Sequence, residues 1–129
     1  MGRSDKKEFQ VEYVMLSCPL VMLWNCISTP EGLSEWFADE VRQDGNLWTF
    51  SWNGSEQTAH LIFIHQPEAV RFRWDGDAHD LFFEFKILRD ELTNAVSLSV
   101  TDFADADDVD DMKLLWGSQV DDLKRFLRV

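Results

Sequence analysis

Between Val109 and Leu127 the apolar residues Val109, Met112, Leu115, Trp116, Val120, Leu123, Phe126 and Leu127 recur at helical spacing, with Gln119 in the same row. Aspartates gather ahead of this segment, while Lys124, Arg125 and Arg128 close it, the order of charge that a helix dipole favours. About twenty residues make a helix of about 30 Å, and an apolar stripe that long must be covered. Only the upstream segments are available to cover it.

Those segments read as strands. Phe9, Val11, Tyr13 and Met15 alternate with Gln10, Glu12 and Val14. From Glu40 onward, five turn signals separate six further strands: Asp44-Gly45-Asn46, Asn53-Gly54-Ser55, Gln66-Pro67-Glu68, Asp75-Gly76-Asp77 and Arg89-Asp90-Glu91. Trp48, Phe50 and Trp52 share a face, as do Val70, Phe72 and Trp74, with Arg71 and Arg73 turned the other way. Leu81, Phe83, Phe85 and Ile87 alternate with Glu84 and Lys86, and Val96, Leu98 and Val100 alternate with Ser97, Ser99 and Thr101. Strands of about eight residues span about 27 Å, which matches the terminal helix.

After the first strand, expected to stop at Ser17-Cys18-Pro19, two helix starts follow. Pro19 suits the first turn of a helix over Leu20–Ile27, with Leu20, Leu23, Trp24 and Ile27 inward. Thr29 is placed to cap a second helix with Pro30 in its first turn, running to about Ala38 with Leu33, Trp36 and Phe37 as its apolar face. The pattern predicts one α+β domain over residues 1–129: seven antiparallel strands, two short helices after the first, and one long helix that the sheet must enclose.

A chain of 129 residues with 45% hydrophobic content suits one core without disulfide or metal support. Its two cysteines, Cys18 and Cys26, have no CxxC spacing, and the start MGRSDKKEFQ lacks the apolar segment of a signal peptide, so the expectation is a reducing cytoplasm. No apolar run approaches the roughly 20 residues of a membrane span, and Lys6 stands where an N-myristoylation signal on Gly2 needs Ser or Thr. The net charge of −12 repels phosphate backbones and anionic membranes, which excludes nucleic acid as the expected partner.

The segment ISTPEGLSEWFAD, Ile27 to Asp39, resembles the helix-turn-helix signature of the homologues of the activator of the ninety-kilodalton heat-shock chaperone's ATPase. AVRFRWD, Ala69 to Asp75, and LLWGSQVDDLKRFL, Leu114 to Leu127, are similar to that family as well. The resemblance places the chain in the START-like, or birch-pollen-allergen-like, superfamily. It implies a helix-grip fold, a curved sheet around the terminal helix, with an interior cavity where relatives hold lipids, hormones or polyketides. It carries over no catalytic residue set. A glycine common in the family's strand over Thr58–His65 is absent here, where Ala59-His60-Leu61 stands.

The candidate cavity lining is Trp48, Phe50, Trp52, Phe72, Trp74, Phe83, Phe85 and Leu98 on the sheet, Met112 and Trp116 on the helix, and Trp36 and Phe37 as closure. The competing expectation is that these rings only pack the core, since burial draws aromatics inside with or without a guest. So much ring bulk predicts a small cavity, suited to a flat aromatic or short acyl ligand. His60 and His65 differ by an odd number of positions, so a regular strand sends them to opposite faces and away from a shared metal; His79 falls in a turn. Neither acidic stretch is an EF-hand: the one from Asp75 has Asp80 and Lys86, and the one from Asp105 has Asp110 and Trp116, at the glycine and glutamate positions. Helix capping accounts for Asp105 to Asp111.

No cofactor is expected, and GxSxG, HExxH and phosphate-loop motifs are absent. The leading functional expectation is non-enzymatic binding of a small hydrophobic or aromatic molecule. A protein-interaction or co-chaperone-like module comes second, and a polyketide-cyclase-like enzyme, with Tyr13, Glu84 or Arg73 as its polar groups, third. The apolar run Leu61 to Ile64, with Phe82, further suggests a homodimer through the outer sheet face.

Overall fold

The computed structural model describes residues 6–16 and 18–129; Gly2 and Ser17, on which two expectations fell, lie outside the described residues. Strand β1 (Lys7–Met15) leads to helices α1 (Leu20–Ser28) and α2 (Pro30–Leu33). Six strands follow, β2 (Glu40–Asp44), β3 (Leu47–Trp52), β4 (Ser55–His65), β5 (Ala69–Trp74), β6 (Phe83–Arg89) and β7 (Val96–Ala104). A short 3₁₀ turn then leads into α3 (Val109–Leu127). The strands form one antiparallel sheet in the order β1-β7-β6-β5-β4-β3-β2, so the first strand returns beside the last. At the β3–β4 turn, Asn53 and Gly54 both take positive φ, 50° and 84°, the geometry a two-residue hairpin needs to follow the strand twist.

The alternation holds on the concave side. Trp48, Phe50, Val70, Phe72, Phe83, Phe85, Leu98 and Val100 are buried there against Trp116, Val120, Leu123 and Leu127 of α3. At 19 residues, α3 is about 28 Å long and lies along β1 and β7. Acidic Asp110 and Asp111 occupy its first turn and Lys124 and Arg125 its last.

Several expectations are corrected. Pro19 precedes α1 as its extended N-cap residue instead of entering its first turn, and Leu20 is only half-buried. Helix α2 ends at Leu33, not near Ala38, because the chain turns back on the Leu33 carbonyl. On α3, Leu115 and Phe126 face outward: the stripe that meets the sheet is one residue wide at each turn. No side chain caps α3 by a hydrogen bond, so its aspartates act through charge alone.

A further correction is in β4. Leu61 pairs with Phe72 but Phe63 pairs with Arg71, which leaves Ile62 as a bulge. Directly paired residues share a face, so the extra residue reverses the parity and puts both His60 and His65 on the convex side. They are bound to different carboxylates, Asp75 at 3.0 Å and Glu68 at 3.4 Å.

Thr29 caps α2 as expected, its Oγ1 accepting the Gly32 N–H at 2.9 Å. Gly32 is where α2 crosses α1, and a Cβ there would lie 1.9 Å from the Asn25 carbonyl oxygen. Gly32→Ala therefore forces backbone apart and should cost about 3 kcal/mol in urea unfolding. Gly45→Ala, which meets nothing but needs a φ of 62°, should cost only about 1 kcal/mol. Equal costs would contradict close packing at Gly32.

Candidate functional site

The concave face is organised by the turn after α2. The Leu33 carbonyl receives the N–H groups of Phe37 and Ala38 at 2.9 and 3.2 Å, a tight reversal that drives Trp36 and Phe37 inward. The Trp36 indole donates to the Cys26 carbonyl at 2.8 Å. The Phe37 carbonyl accepts from Trp52 Nε1 of the sheet at 2.7 Å and from Gln119 Nε2 of α3 at 3.3 Å. Sheet and terminal helix thus grip the same peptide group.

The Phe37 ring fills the centre that the other aromatics surround. Its centroid lies 5.3 to 5.8 Å from those of Trp36, Phe50, Trp52, Phe83, Phe85 and Trp116, stacked on Trp116 and edge-on to Phe50, Trp52 and Phe85. Behind it, Trp48, Phe50, Phe72 and Phe83 contact one another. Of the twelve residues named from sequence, Trp36, Phe37, Trp48, Phe50, Phe72, Phe83, Phe85, Leu98 and Trp116 are buried, and Trp52, Trp74 and Met112 are half-buried. Among the described residues, two buried side-chain polar atoms have no partner, Tyr13 Oη and Trp48 Nε1. Burial, with the Asp121 charge second, raises the Tyr13 hydroxyl above its ordinary pKa.

Open space lies at the end of the sheet where α3 begins. A cleft of about 630 Å³ runs between Thr58 of β4, Trp74 at the end of β5, the loop through Asp77, Leu81 and Phe82, the end of β7 from Asp102, and Asp108, Asp111 and Met112 at the start of α3. The loop is pinned by Arg73, which donates to the carbonyls of Leu81 and His79 at 3.3 and 3.0 Å. A second open cleft of about 730 Å³, lined by Trp36, Phe37, Trp52 and the polar face of α3, flanks the α2 turn.

Asp102 is the residue that sequence reading missed. It continues the inward parity of Val96, Leu98 and Val100, and an acid on an apolar parity was the available signal. Its carboxylate accepts from its neighbour Phe103 N–H at 2.8 Å and from the Trp116 indole at 3.0 Å. Burial raises its pKa above the usual aspartate value, and the two donors and Lys6 pull the other way. Both cysteines are buried and unpaired, and burial, then Cys18 and Glu35, push the Cys26 thiol up to about 11, which keeps it from acting as a thiolate nucleophile. Among the described residues, no three His, Cys, Asp or Glu side chains gather as a metal site requires.

Phe37→Ala should cost about 3–5 kcal/mol in urea unfolding and open an internal void that takes up benzene or xenon, read by NMR. A cost under about 1 kcal/mol with no guest uptake would show that the ring does not fill the centre.

The profile of the START-like superfamily domain matches residues 3–128. No curated protein matches this chain. Among solved structures, a Bacteroides fragilis protein is 38% identical over 94% of this chain and 90% of its own, with a TM-score of 0.65. The Aha1 dimer of Colwellia psychrerythraea superposes with a TM-score of 0.78 at 14% identity, covering 95% of this chain and 97% of its own. DynU16, a protein of the dynemicin biosynthetic locus, gives 0.74 at 18% identity, covering 98% of this chain and 48% of its own. The match over nearly the whole length, with the seven-stranded sheet and its terminal helix, makes this chain a member of the START-like superfamily.

Proposed function

We propose that this protein binds, without chemistry, a small molecule with an apolar or aromatic body, and that it does so in the cleft at the start of α3. The observation that carries the reading is that cleft, about 630 Å³ in volume with Trp74, Leu81, Phe82 and Met112 in its wall. Its size suits a flat aromatic or short acyl group. The START-like fold often binds hydrophobic ligands, which agrees. The rings around Phe37 support the cleft from behind and do not themselves make room for a guest.

A carrier fits better than an enzyme because two of the three candidate polar groups are held elsewhere and the third, Tyr13, faces the core and does not line the cleft. Glu84 is held by Arg71 at 2.6 Å on the convex side, and Arg73 is spent on loop carbonyls. Among the described residues no helix is long and apolar enough to cross a membrane, and cytoplasmic residence is part of the same proposal. The neutral fluorophore N-phenyl-1-naphthylamine should brighten on binding, and Trp74→Ala should weaken it by about 1–2 kcal/mol. Unchanged affinity in that variant would remove the cleft from the proposal.

A second reading concerns self-association. On the convex face, Phe63 of β4 is 38% exposed beside the bulge residue Ile62 at 37%, and Arg71 stacks over Phe63 and Phe82, with Phe103 edge-on to Phe82. A contiguous apolar patch of this kind is suited to cover by a second copy. The Colwellia relative is a dimer. Sedimentation velocity should find a dimer that Phe63→Glu converts to monomer; a wild-type monomer at the highest attainable concentration would overturn this reading.

A further inference from the structure

We infer that Asn53-Gly54, at the tip of the β3–β4 hairpin, is a latent site of spontaneous amide chemistry guarded by Asp39, and that its conversion to aspartate and isoaspartate unfastens the turn that carries Phe37. This inference stands apart from the ligand and from self-association.

The chain has four asparagines, Asn25, Asn46, Asn53 and Asn94, and Asn53 is the one that a glycine follows. A backbone nitrogen reaches the preceding carboxamide most freely when its own residue has no side chain and a permissive backbone. Asn53 and Gly54 are both exposed to water and base. Asn94 supplies the contrast. It too has a positive φ, 61°, but the Ala95 N–H donates to Thr93 Oγ1 at 3.2 Å and the Asn94 carboxamide oxygen accepts from Arg89 at 3.2 Å.

The reaction needs only base and water. The Gly54 nitrogen gives its proton to hydroxide and attacks Asn53 Cγ; the N–Cγ bond forms, the Cγ–Nδ2 bond breaks, and ammonia leaves with a proton taken from water. A second water opens the cyclic imide at either carbonyl, which yields aspartate or isoaspartate with no oxidation or reduction. Both products carry a carboxylate that asparagine lacked. Isoaspartate also routes the main chain through the side chain and lengthens it by a carbon.

The folded hairpin holds this chemistry back. With φ of 50° and 84°, Asn53 and Gly54 form a mirror-image turn, in which the Gly54 nitrogen lies across the Cα–C bond from the Asn53 side chain. The five-membered ring therefore closes only when the tip opens. Asp39 keeps the tip shut: its Oδ2 accepts the Asn53 N–H at 2.7 Å, and its own N–H donates to the Ser51 carbonyl at 2.9 Å. With the bond from Trp52 Nε1 to the Phe37 carbonyl at 2.7 Å, three hydrogen bonds fasten the tip to the segment from Phe37 to Asp39. Conversion undoes that fastening from the sheet side. A new carboxylate beside that of Asp39 repels it, and the added carbon disturbs the pairing of Trp52 with Ser55. Opening admits the reaction, and the product then opposes reclosing.

The test ages the full chain in warm, mildly alkaline buffer and follows Asn53 by peptide mapping, with an isoaspartate-specific methyltransferase label. The folded wild type should convert at least about tenfold more slowly than the same chain unfolded in guanidinium chloride, since the reaction must wait for local opening. Asp39→Ala, at an exposed position, should raise the folded rate about fivefold, the change in an opening equilibrium when one hydrogen bond to a carboxylate is lost. Asp39→Asn keeps an acceptor oxygen and should stay near the wild type. Converted chains, separated by ion exchange, should show faster hydrogen exchange at the Trp52 indole than unconverted ones. Equal rates in folded and unfolded chains would overturn the guard, and Asp39→Ala at the wild-type rate, or Asp39→Asn as fast as Asp39→Ala, would remove the Asp39 hydrogen bond from it. No conversion in the unfolded chain would overturn the site itself. Unchanged Trp52 exchange after conversion would sever the link to Phe37.

Discussion

The structure depends on one ring and one carbonyl, both belonging to Phe37. The ring stands in aromatic contact with six neighbours drawn from β3, β6, α3 and its own turn, and the carbonyl joins an indole of the sheet to an amide of the terminal helix. Each aromatic pair adds about 0.5–1.5 kcal/mol beyond burial, and the carbonyl is satisfied twice. Thr29 and Gly32 set up this contact from a distance. The cap fixes where α2 starts, and the missing side chain lets α2 press on α1, so that the reversal at Leu33 delivers Phe37 to the middle of the concave face. The signature Ile27 to Asp39 is therefore explained by packing.

That plug fills the middle of the concave face. A curved sheet around a helix encloses space, and here side chains occupy the middle of it at van der Waals contact. The remaining concavity lies at the end of the grip, where strand ends and the first turn of α3 leave a gap. The residues singled out from sequence thus divide between two parts of one surface: nine of the twelve are buried, while Trp74 and Met112 reach the cleft.

What was legible in the sequence was what is local. Strand alternation, glycine turns and the periodicity of α3 depend on neighbours within a few residues, and seven strands and three helices follow from them. The β4 bulge was not legible, because Ile62 is apolar like Leu61 and Phe63, and only pairing with β5 reveals which of them is extra. The end of α2 was hidden for a similar reason: Trp36 and Phe37 fit a helical face, but their burial is obtained by a turn whose hydrogen bonds converge on one carbonyl. Asp102 stands beside the acidic run in sequence, and only its parity in β7 assigns it to the sheet.

The aspartates show why composition alone could not reach the site. A net charge of −12 spread evenly is a solubility device, screened beyond about 10 Å at ordinary salt. Where the fold brings some of these charges to one rim, their placement is information that no residue count reports. Chain separations of more than thirty residues between Asp75 and Asp111 vanish when β5, β7 and α3 end at the same rim. The sheet order is what joins them: β7 lies between β1 and β6, so α3, which leaves from β7 and returns across the concave face, must begin beside the loop that leaves β5. An acidic rim is thus a consequence of topology acting on two stretches that are each unremarkable in sequence.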